Sequence, residues 1–233
     1  MNFFRFPHTP HLVWLGGGQP RDDKVLAPAE VRDLLAHGLV VEEKVDGANV
    51  GFSVDADGEL EVQNRGSYLA PGACHPQFKP LFRWLAPRRD TLLEALFPDL
   101  MLFGEWCYAV HSVRYTRLVD WFLAFDVYDR SRGEFWSAAR RDGLVRGLGL
   151  ELVPRLGEGR YGLPVLRALL GQSQLSDAPA EGLYIRRDQG DWLTARAKLV
   201  RAEFTQAIEE HWSRRSLEVQ PLPPNLHPPG THR

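Results

Sequence analysis

The sequence contains little lysine, although basic residues as a whole are common. Lysine occurs only at Lys24, Lys44, Lys79 and Lys198, and the other 24 of the 28 basic residues are arginine. Lysine can lose its proton and act as a nucleophile, which arginine cannot do, so a retained lysine is a candidate for that chemistry. For Lys24 and Lys79 we favour the alternative that they have no special function.

Cysteine and long hydrophobic runs are also scarce. The two cysteines, Cys74 and Cys107, stand in no CxxC or Cys/His pattern, which argues against a zinc site and a disulfide framework. No stretch approaches the length of a membrane span, and the first 18 residues lack the basic and apolar regions of a secretion signal. The sequence therefore predicts a soluble, cytoplasmic protein without membrane contact.

The chain has no excess of positive charge. Its formal net charge is −2, and 44% hydrophobic and 25% charged residues are ordinary values for a globular chain of 233 residues. We expect one domain over residues 1–213, followed by a Pro-rich, disordered tail over residues 214–233. A nucleic-acid-binding protein of this composition has to concentrate its positive charge on one face.

Hydrophobic periodicity predicts an α+β fold with antiparallel strands and helices packed outside them. Strands are predicted at residues 39–45, 48–54, 59–64, 101–107, 121–128, 182–187 and 192–199. Helices are predicted at residues 29–37, 79–84, 91–97, 138–146 with Ser137 as the cap, and 163–170. A further helix is expected near the end, where Phe204, Ile208 and Trp212 recur at helical spacing.

Residues 43–49, EKVDGAN, contain the pattern K-x-D-G-x-N between two predicted strands. Average composition predicts a chance match in about one chain per thousand of this length. In a strand, Lys44 and Asp46 point to the same face, and Gly47 permits a sharp turn close to a ligand. We therefore expect Lys44 at the rim of a pocket. The alternative is a surface salt bridge between Lys44 and Asp46 beside a turn.

The pattern resembles the nucleophile motif of the covalent nucleotidyltransferase superfamily, which includes DNA ligases, RNA ligases and mRNA capping enzymes. Five further segments resemble its motifs in the same order: residues 64–66 (NRG), 103–105 (FGE), 122–127 (FLAFDV), 181–185 (EGLYI) and 196–198 (RAK). Each motif is weak alone, but their order and spacing are specific. The resemblance implies the ATP-grasp-like adenylation domain of DNA and RNA ligases, an α+β nucleotidyltransferase fold with antiparallel sheets flanked by helices.

The resemblance also implies a role for each motif residue. Lys44 would attack the α-phosphate of ATP, Glu105 would bind the ribose, and Phe125 would stack on adenine. Glu181 would support Mg²⁺ or Mn²⁺. The predicted catalytic residues are Lys44, Asp46 and Lys198, and the predicted ATP-binding residues are Glu43, Lys44, Asn49, Arg65, Glu105, Phe125, Glu181, Arg196 and Lys198.

A nucleophilic amine must be unprotonated, so we expect the pKa of Lys44 to be lowered by burial, by Arg196 and Lys198, and by a divalent metal on the ATP phosphates. The motif residues have plainer alternatives, namely a core role for Phe125 and an exposed loop position for Arg65 and Glu181. Glu105 lies in an apolar strand, where a carboxylate is costly unless it binds something.

Asn49 in K-x-D-G-x-N resembles the RNA ligase branch, in particular the nick-sealing phage RNA ligase 2 type. Residues 6–12 and 198–204 also resemble bacterial relatives of that branch. Only 35 residues follow Lys198, so we expect neither an OB-fold domain nor the full helical C-terminal domain of the phage type. Arg196 stands where the family usually has a lysine. The arginine retains the positive charge but carries it on a wider, planar group. A minimal bacterial form is therefore expected.

These features predict an ATP-dependent RNA ligase that forms lysyl-AMP and seals 5′-phosphate and 3′-hydroxyl RNA ends at duplex nicks, in RNA repair. Two alternatives remain: a non-catalytic module that binds nucleotide or RNA ends, and an adenylating subunit that needs an accessory protein. Because the net charge is −2, RNA contacts would be local. The candidates are Arg65, Arg114, Arg117, Arg186 and Arg187, each with a solvated surface charge as the alternative.

Overall fold

The computed structural model describes residues 3–17, 20, 24–171, 173–206 and 217–221. Within these residues the strands are β1 (Leu39–Lys44), β2 (Ala48–Val54), β3 (Leu60–Asn64), β4 (Leu100–Trp106), β5 (Phe122–Asp129), β6 (Glu134–Phe135), β7 (Glu151–Leu152), β8 (Arg155–Gly159), β9 (Gly182–Gln189) and β10 (Trp192–Val200). The α-helices are α1 (Pro28–Leu35), α2 (Lys79–Leu85), α3 (Arg89–Leu96), α4 (Ala138–Gly147), α5 (Leu163–Leu169) and α6 (Ala202–Gln206). Short 3₁₀ helices, Pro76–Phe78 and Ala86–Arg88, flank α2.

The predicted strands and helices are confirmed to within about two residues at each end. Ser137 caps α4 as predicted, because its side chain accepts a hydrogen bond from the Arg140 amide. Gly58 turns β2 into β3 at a φ of 81°, which glycine adopts readily. Of the predicted C-terminal helix, α6 is observed, whereas Ile208 and Trp212 lie outside the described residues. Every described helix falls short of the length and hydropathy of a membrane span.

The strands form two sheets, each with its own hydrophobic core. The first sheet has the order β10-β9-β1-β8, and the second has the order β3-β2-β4-β5-β6. Neighbours are antiparallel except that β7 joins β5 in parallel. The first sheet packs on α1 and α5 through Leu34 and Leu166, and the second packs on α2, α3 and α4 through Trp84, Leu92 and Val145.

Two short segments carry the chain from one sheet to the other. Residues 45–47 connect β1 of the first sheet to β2 of the second. Between β7 and β8, the Val153 amide donates to the Ala124 carbonyl at 3.1 Å, and the Pro154 carbonyl accepts from the Glu43 amide at 2.8 Å. The K-x-D-G motif therefore lies at a junction between the sheets.

Buried charged side chains also connect the two sheets. Asp126 of β5 pairs with Arg186 of β9, and with Arg196 of β10 at 3.0 Å. Arg141 of α4 donates to both carboxylate oxygens of Glu42 in β1, at 2.5 and 3.1 Å. Asp126, Arg186, Glu42 and Arg141 are each at most 1% exposed. The Asp126–Arg186 and Glu42–Arg141 pairs therefore hold the two sheets together without contact with solvent.

Part of the predicted tail is ordered against the domain. Val219 forms an antiparallel bridge with Ala109, and Gln220 is 2% exposed. For residues 217–221 the structure therefore differs from the disordered tail that the sequence predicts. The rest of residues 214–233 lies outside the described part of the chain.

We predict that the Arg186→Met substitution lowers the free energy of unfolding by about 3–5 kcal/mol, because it leaves the buried Asp126 carboxylate without a main partner. The matched control is Arg187→Met on the same strand. Arg187 pairs at 2.6 Å with Asp33, whose side chain is 63% exposed, so the loss there should stay below about 1 kcal/mol. Urea denaturation of both variants measures the difference, and equal losses would contradict it.

Candidate active site

A cavity of about 320 Å³ is lined by residues of both sheets, near the crossing at residues 45–47. Its volume lies within the range of small-molecule sites. The lining residues are Phe6, Thr9, Glu43, Lys44, Val45, Gly47, Asn49, Arg65, Glu105, Phe125, Val153, Tyr184 and Lys198. Seven of the predicted ATP-binding residues are therefore brought together, and Asp46, Glu181 and Arg196 are outside this lining.

Lys44 is the last residue of β1, and its side chain is 28% exposed. Its Nζ donates to Oε2 of Glu181 at 2.6 Å. Burial lowers the pKa of Lys44, but the negative charges of Glu181, Glu105 and Asp46 outweigh burial and raise it. The predicted lowering of this pKa is therefore wrong for this structure, because the dominant nearby charges are carboxylates.

Asp46 is held by the loop that follows β4. Its Oδ2 accepts hydrogen bonds from the amides of Ser112 at 2.7 Å and Val113 at 3.0 Å. The Asp46 amide in turn donates to the Tyr115 hydroxyl at 2.7 Å. Because β1 ends at Lys44, the strand alternation that predicted a shared face for Lys44 and Asp46 does not extend to Asp46.

Gly47 belongs to residues 45–47, which we call the connector, and allows β4 to approach it closely. A Cβ at this position would lie 2.7 Å from the Trp106 carbonyl oxygen, so a larger residue would displace the backbone. The Gly47 amide donates to Oε1 of Glu105 at 3.0 Å. Burial raises the pKa of Glu105 to about 8, although the charge of Lys44 opposes this shift. Near neutral pH the carboxyl group of Glu105 is therefore largely protonated.

Asn49 and Glu43 line the cavity from different sheets. Asn49 is paired with Glu105 across β2 and β4, and its buried Oδ1 has no hydrogen-bond partner among the described residues. Such atoms are uncommon in proteins, and this one lies where a ligand could satisfy it. Glu43 is buried and accepts hydrogen bonds from the Ser173 hydroxyl and from the Gln174 amide at 2.8 Å. Glu43 therefore anchors the loop that contains Ser173 and Gln174. Burial raises the pKa of the Glu43 carboxyl group.

An aromatic wall of Phe6, Phe125 and Tyr184 forms one side of the cavity. The rings of Phe6 and Phe125 meet edge to face at 5.4 Å, and Tyr184 lies 6.4 Å from Phe125. The sequence did not identify Phe6, Thr9 or Tyr184 as lining residues. For Tyr184, strand alternation from Gly182 was an available signal, whereas Phe6 and Thr9 come from an irregular segment without periodicity.

Lys198 and Arg196 do not share the cavity as the sequence predicts. Lys198 lines it, and its backbone is fixed by hydrogen bonds to Pro10 at 2.8 Å and Leu12 at 2.7 Å. Arg196 donates to Asp126 and, at 3.2 Å, to the hydroxyl of Tyr184. Its guanidinium also lies over the ring of Phe6, with 4.8 Å to the centroid. Arg196 therefore supports the aromatic wall from outside the lining.

The arginines proposed for RNA contact have different environments. Arg65 is exposed at the cavity, in the loop after β3. Arg114, Arg117 and Arg187 form ion pairs with exposed carboxylates; Arg114 and Arg117 are exposed, and Arg187 is partly buried. Arg186 is fully buried, so the prediction that it contacts RNA is wrong.

The carboxylates near Lys44 fit a metal that arrives with a phosphate ligand. The described residues contain no group of three or more His, Cys, Asp or Glu side chains placed to hold a metal. Mg²⁺ is commonly bound by one or two carboxylates together with substrate phosphates and water. Glu181, with 14% of its side chain exposed beside Lys44, suits that arrangement.

Comparison with known proteins places the chain in a family. The family model described as RNA ligase matches residues 38–200, more than two thirds of the chain. The chain belongs to the RNA ligase family. In a comparison with curated protein sequences, no significant match was found.

Solved structures of an RNA ligase from Naegleria gruberi share the fold. A mutant with ATP and Mn is 19% identical, with a TM-score of 0.62 over 88% of this chain and 62% of that chain. The ligase with PPi is 20% identical, with a TM-score of 0.59 over 90% and 62%. A mutant with AMP and Mn is 20% identical, with a TM-score of 0.60 over 91% and 66%. This chain thus spans less than two thirds of these relatives, and the predicted fold class is confirmed.

We predict that Glu105→Gln becomes more stable relative to the wild type as the pH rises. The pKa of Glu105 is about 8 in the folded protein against 4.5 for the ordinary group. Between these values the unfolded chain loses the proton while the folded chain keeps it, so wild-type stability falls with rising pH, and glutamine has no proton to lose.

Denaturation of both proteins at about pH 5 and about pH 8 measures this difference. The control is Glu94→Gln, which makes the same change of charge at an exposed position of α3. If the difference in stability between Glu105→Gln and the wild type is the same at both pH values, Glu105 is ionised in the folded protein over this range, and the prediction is contradicted.

Proposed function

We propose that the protein is an ATP-dependent RNA ligase that carries AMP on Lys44 and joins RNA ends. The observation that supports this most directly is the position of Lys44. It reaches a cavity that Glu105 and Lys198 also line, and its Nζ contacts Glu181 at 2.6 Å. Membership of the RNA ligase family agrees with this chemistry.

In the first step, the Nζ lone pair of Lys44 attacks the α-phosphorus of ATP. A P–N bond forms, the bond from the α-phosphorus to the bridging oxygen breaks, and pyrophosphate leaves. The ammonium proton has to pass to solvent first, against a pKa that the neighbouring carboxylates raise. A divalent metal, Mg²⁺ or Mn²⁺, held by Glu181 and the phosphates would supply positive charge that offsets these carboxylates.

The cavity offers a complementary group for each part of the nucleotide. The aromatic wall provides flat faces for adenine, and Phe125 is the proposed stacking partner. The carboxyl group of Glu105 can hydrogen bond to the ribose, and Lys198 and Arg65 supply positive charge for the phosphates. The Naegleria gruberi structures that contain ATP, AMP or PPi share this fold, which agrees with a nucleotide as the ligand.

In the later steps, AMP passes to the 5′-phosphate of an RNA end, and a 3′-hydroxyl displaces AMP to form the phosphodiester. We propose nicks in duplex RNA as the substrate and RNA repair as the role. The exposed Arg65 beside the cavity suits contact with the phosphate of the strand end. The modest net charge of −2 restricts such contacts to local patches.

We predict that ATP labelled at the α-phosphate transfers its label to the wild-type protein and not to Lys44→Ala. The control is Lys79→Ala, because Lys79 is exposed at the start of α2 and lies outside the cavity lining. Denaturing electrophoresis detects the adduct, and its lability in acid identifies a P–N bond. Label that persists in Lys44→Ala, or its absence from the wild type, would reject the proposal.

We also predict that the purified protein seals a nicked RNA duplex with a 5′-phosphate faster than it joins single strands. A nick with a 5′-hydroxyl is the control, since it has no phosphate to accept AMP. Gel assays of the nicked RNA duplex, of single strands and of a nicked RNA/DNA hybrid measure which substrate the protein seals fastest. A labelled protein that seals nothing alone would favour an adenylating subunit that needs an accessory protein.

A further inference from the structure

Gln220 makes two buried hydrogen bonds to the loop that holds Asp46. Its Oε1 accepts from the Tyr115 amide at 2.8 Å, and its Nε2 donates to the Val113 carbonyl at 2.6 Å. Val113 and Tyr115 belong to no strand, so their buried backbone groups need partners from elsewhere. The side-chain amide of Gln220 satisfies one donor and one acceptor, as a neighbouring strand would.

The same loop residues contact Asp46 of the K-x-D-G motif. The amides of Ser112 and Val113 donate to Oδ2 of Asp46, and the hydroxyl of Tyr115 accepts from the Asp46 amide. Val113 and Tyr115 therefore bind Gln220 and Asp46 at once. Asp46 is two residues from Lys44, so two layers of hydrogen bonds connect Gln220 to the connector that follows the proposed nucleophile.

Residues 217–221, which we call the C-terminal strap, are fixed by their own backbone. The backbone amide of Gln220 donates to the Tyr108 carbonyl, and the backbone amide of Val110 donates to the Glu218 carbonyl, both at 2.8 Å. Val219 forms its antiparallel bridge with Ala109 between these two bonds. The strap thus behaves as a short additional strand along residues 108–110, and this pairing sets the position of the Gln220 side chain.

We propose that Gln220 is a positioning residue for the transfer of AMP to Lys44, an inference that rests on the proposed function. Nucleophilic attack requires alignment of Nζ with the α-phosphorus, and a displacement of about 1 Å can lower a rate about a hundredfold. Gln220 is outside the cavity lining, so its loss disturbs the connector and leaves the aromatic wall in place. The rate of transfer depends on Gln220, and ATP affinity does not.

The test is single-turnover adenylylation of full-length Gln220→Met over a range of ATP concentrations with Mg²⁺. Methionine is close to glutamine in size but cannot replace its two hydrogen bonds. We expect the first-order rate constant to fall about tenfold, with the half-saturating ATP concentration and the final labelled fraction unchanged. The matched control is Val219→Ala in the same strap, where Val219 is 40% exposed, and its rate constant should equal that of the wild type.

A second variant tests whether the effect passes through the loop. Tyr115→Phe removes the hydroxyl that accepts from the Asp46 amide. If Gln220 acts through this loop, the rate constant of the double variant Gln220→Met, Tyr115→Phe falls by a smaller factor than the product of the two single-variant factors. Fully multiplicative losses would contradict that route.

The outcomes separate this proposal from the proposed function. Label on the wild type with an unchanged rate constant in Gln220→Met overturns the role of Gln220 alone. A lower labelled fraction with an unchanged rate constant shows only loss of folded protein and also overturns it. Absence of label on the wild type rejects the proposed function, and the role of Gln220 with it.

Discussion

The buried pairing of Asp126 with Arg186 joins two sheets whose hydrophobic cores are separate and which together line the cavity. Arg186 and Arg141 also donate to the carbonyl oxygen of Phe125, at 3.1 and 2.6 Å. Buried charges require partners in definite geometry, since an unpaired one is very costly. We infer that these contacts fix the spacing of the sheets and hold Phe125 at the cavity.

The position of Lys44 follows from the same two-sheet arrangement. The chain leaves the first sheet at Lys44 and enters the second at Ala48, so the amine meets side chains from both. Asn49 and Glu105 are cross-strand neighbours in one sheet, and Tyr184 and Lys198 are cross-strand neighbours in the other. Motifs more than a hundred residues apart in sequence therefore converge through strand register.

Local sequence patterns predicted the features that depend on neighbouring residues, namely the positions of strands and of the K-x-D-G motif. Strand alternation and the K-x-D-G spacing located β1 and β2 and identified Lys44. The β8 strand was missed because Gly157 and Gly159 interrupt its short sequence and no apolar alternation marks it. Arg186 was misread as a surface charge, because charged residues are rarely buried and its partner is 60 residues away in sequence. The raised pKa of Lys44 depends on three distant carboxyl groups, which no local pattern reveals.

The arginine at position 196 explains how charge is distributed at the cavity. Its planar guanidinium bonds Asp126 and Tyr184 and lies over two aromatic rings, which a lysine ammonium could not do in the same geometry. The lining then carries the cations Lys44, Arg65 and Lys198 together with the carboxyl groups of Glu43 and Glu105. These three cations face both carboxyl groups and the several negative charges of a triphosphate. Charge balance therefore favours a nucleotide that arrives with a divalent metal already bound to its phosphates.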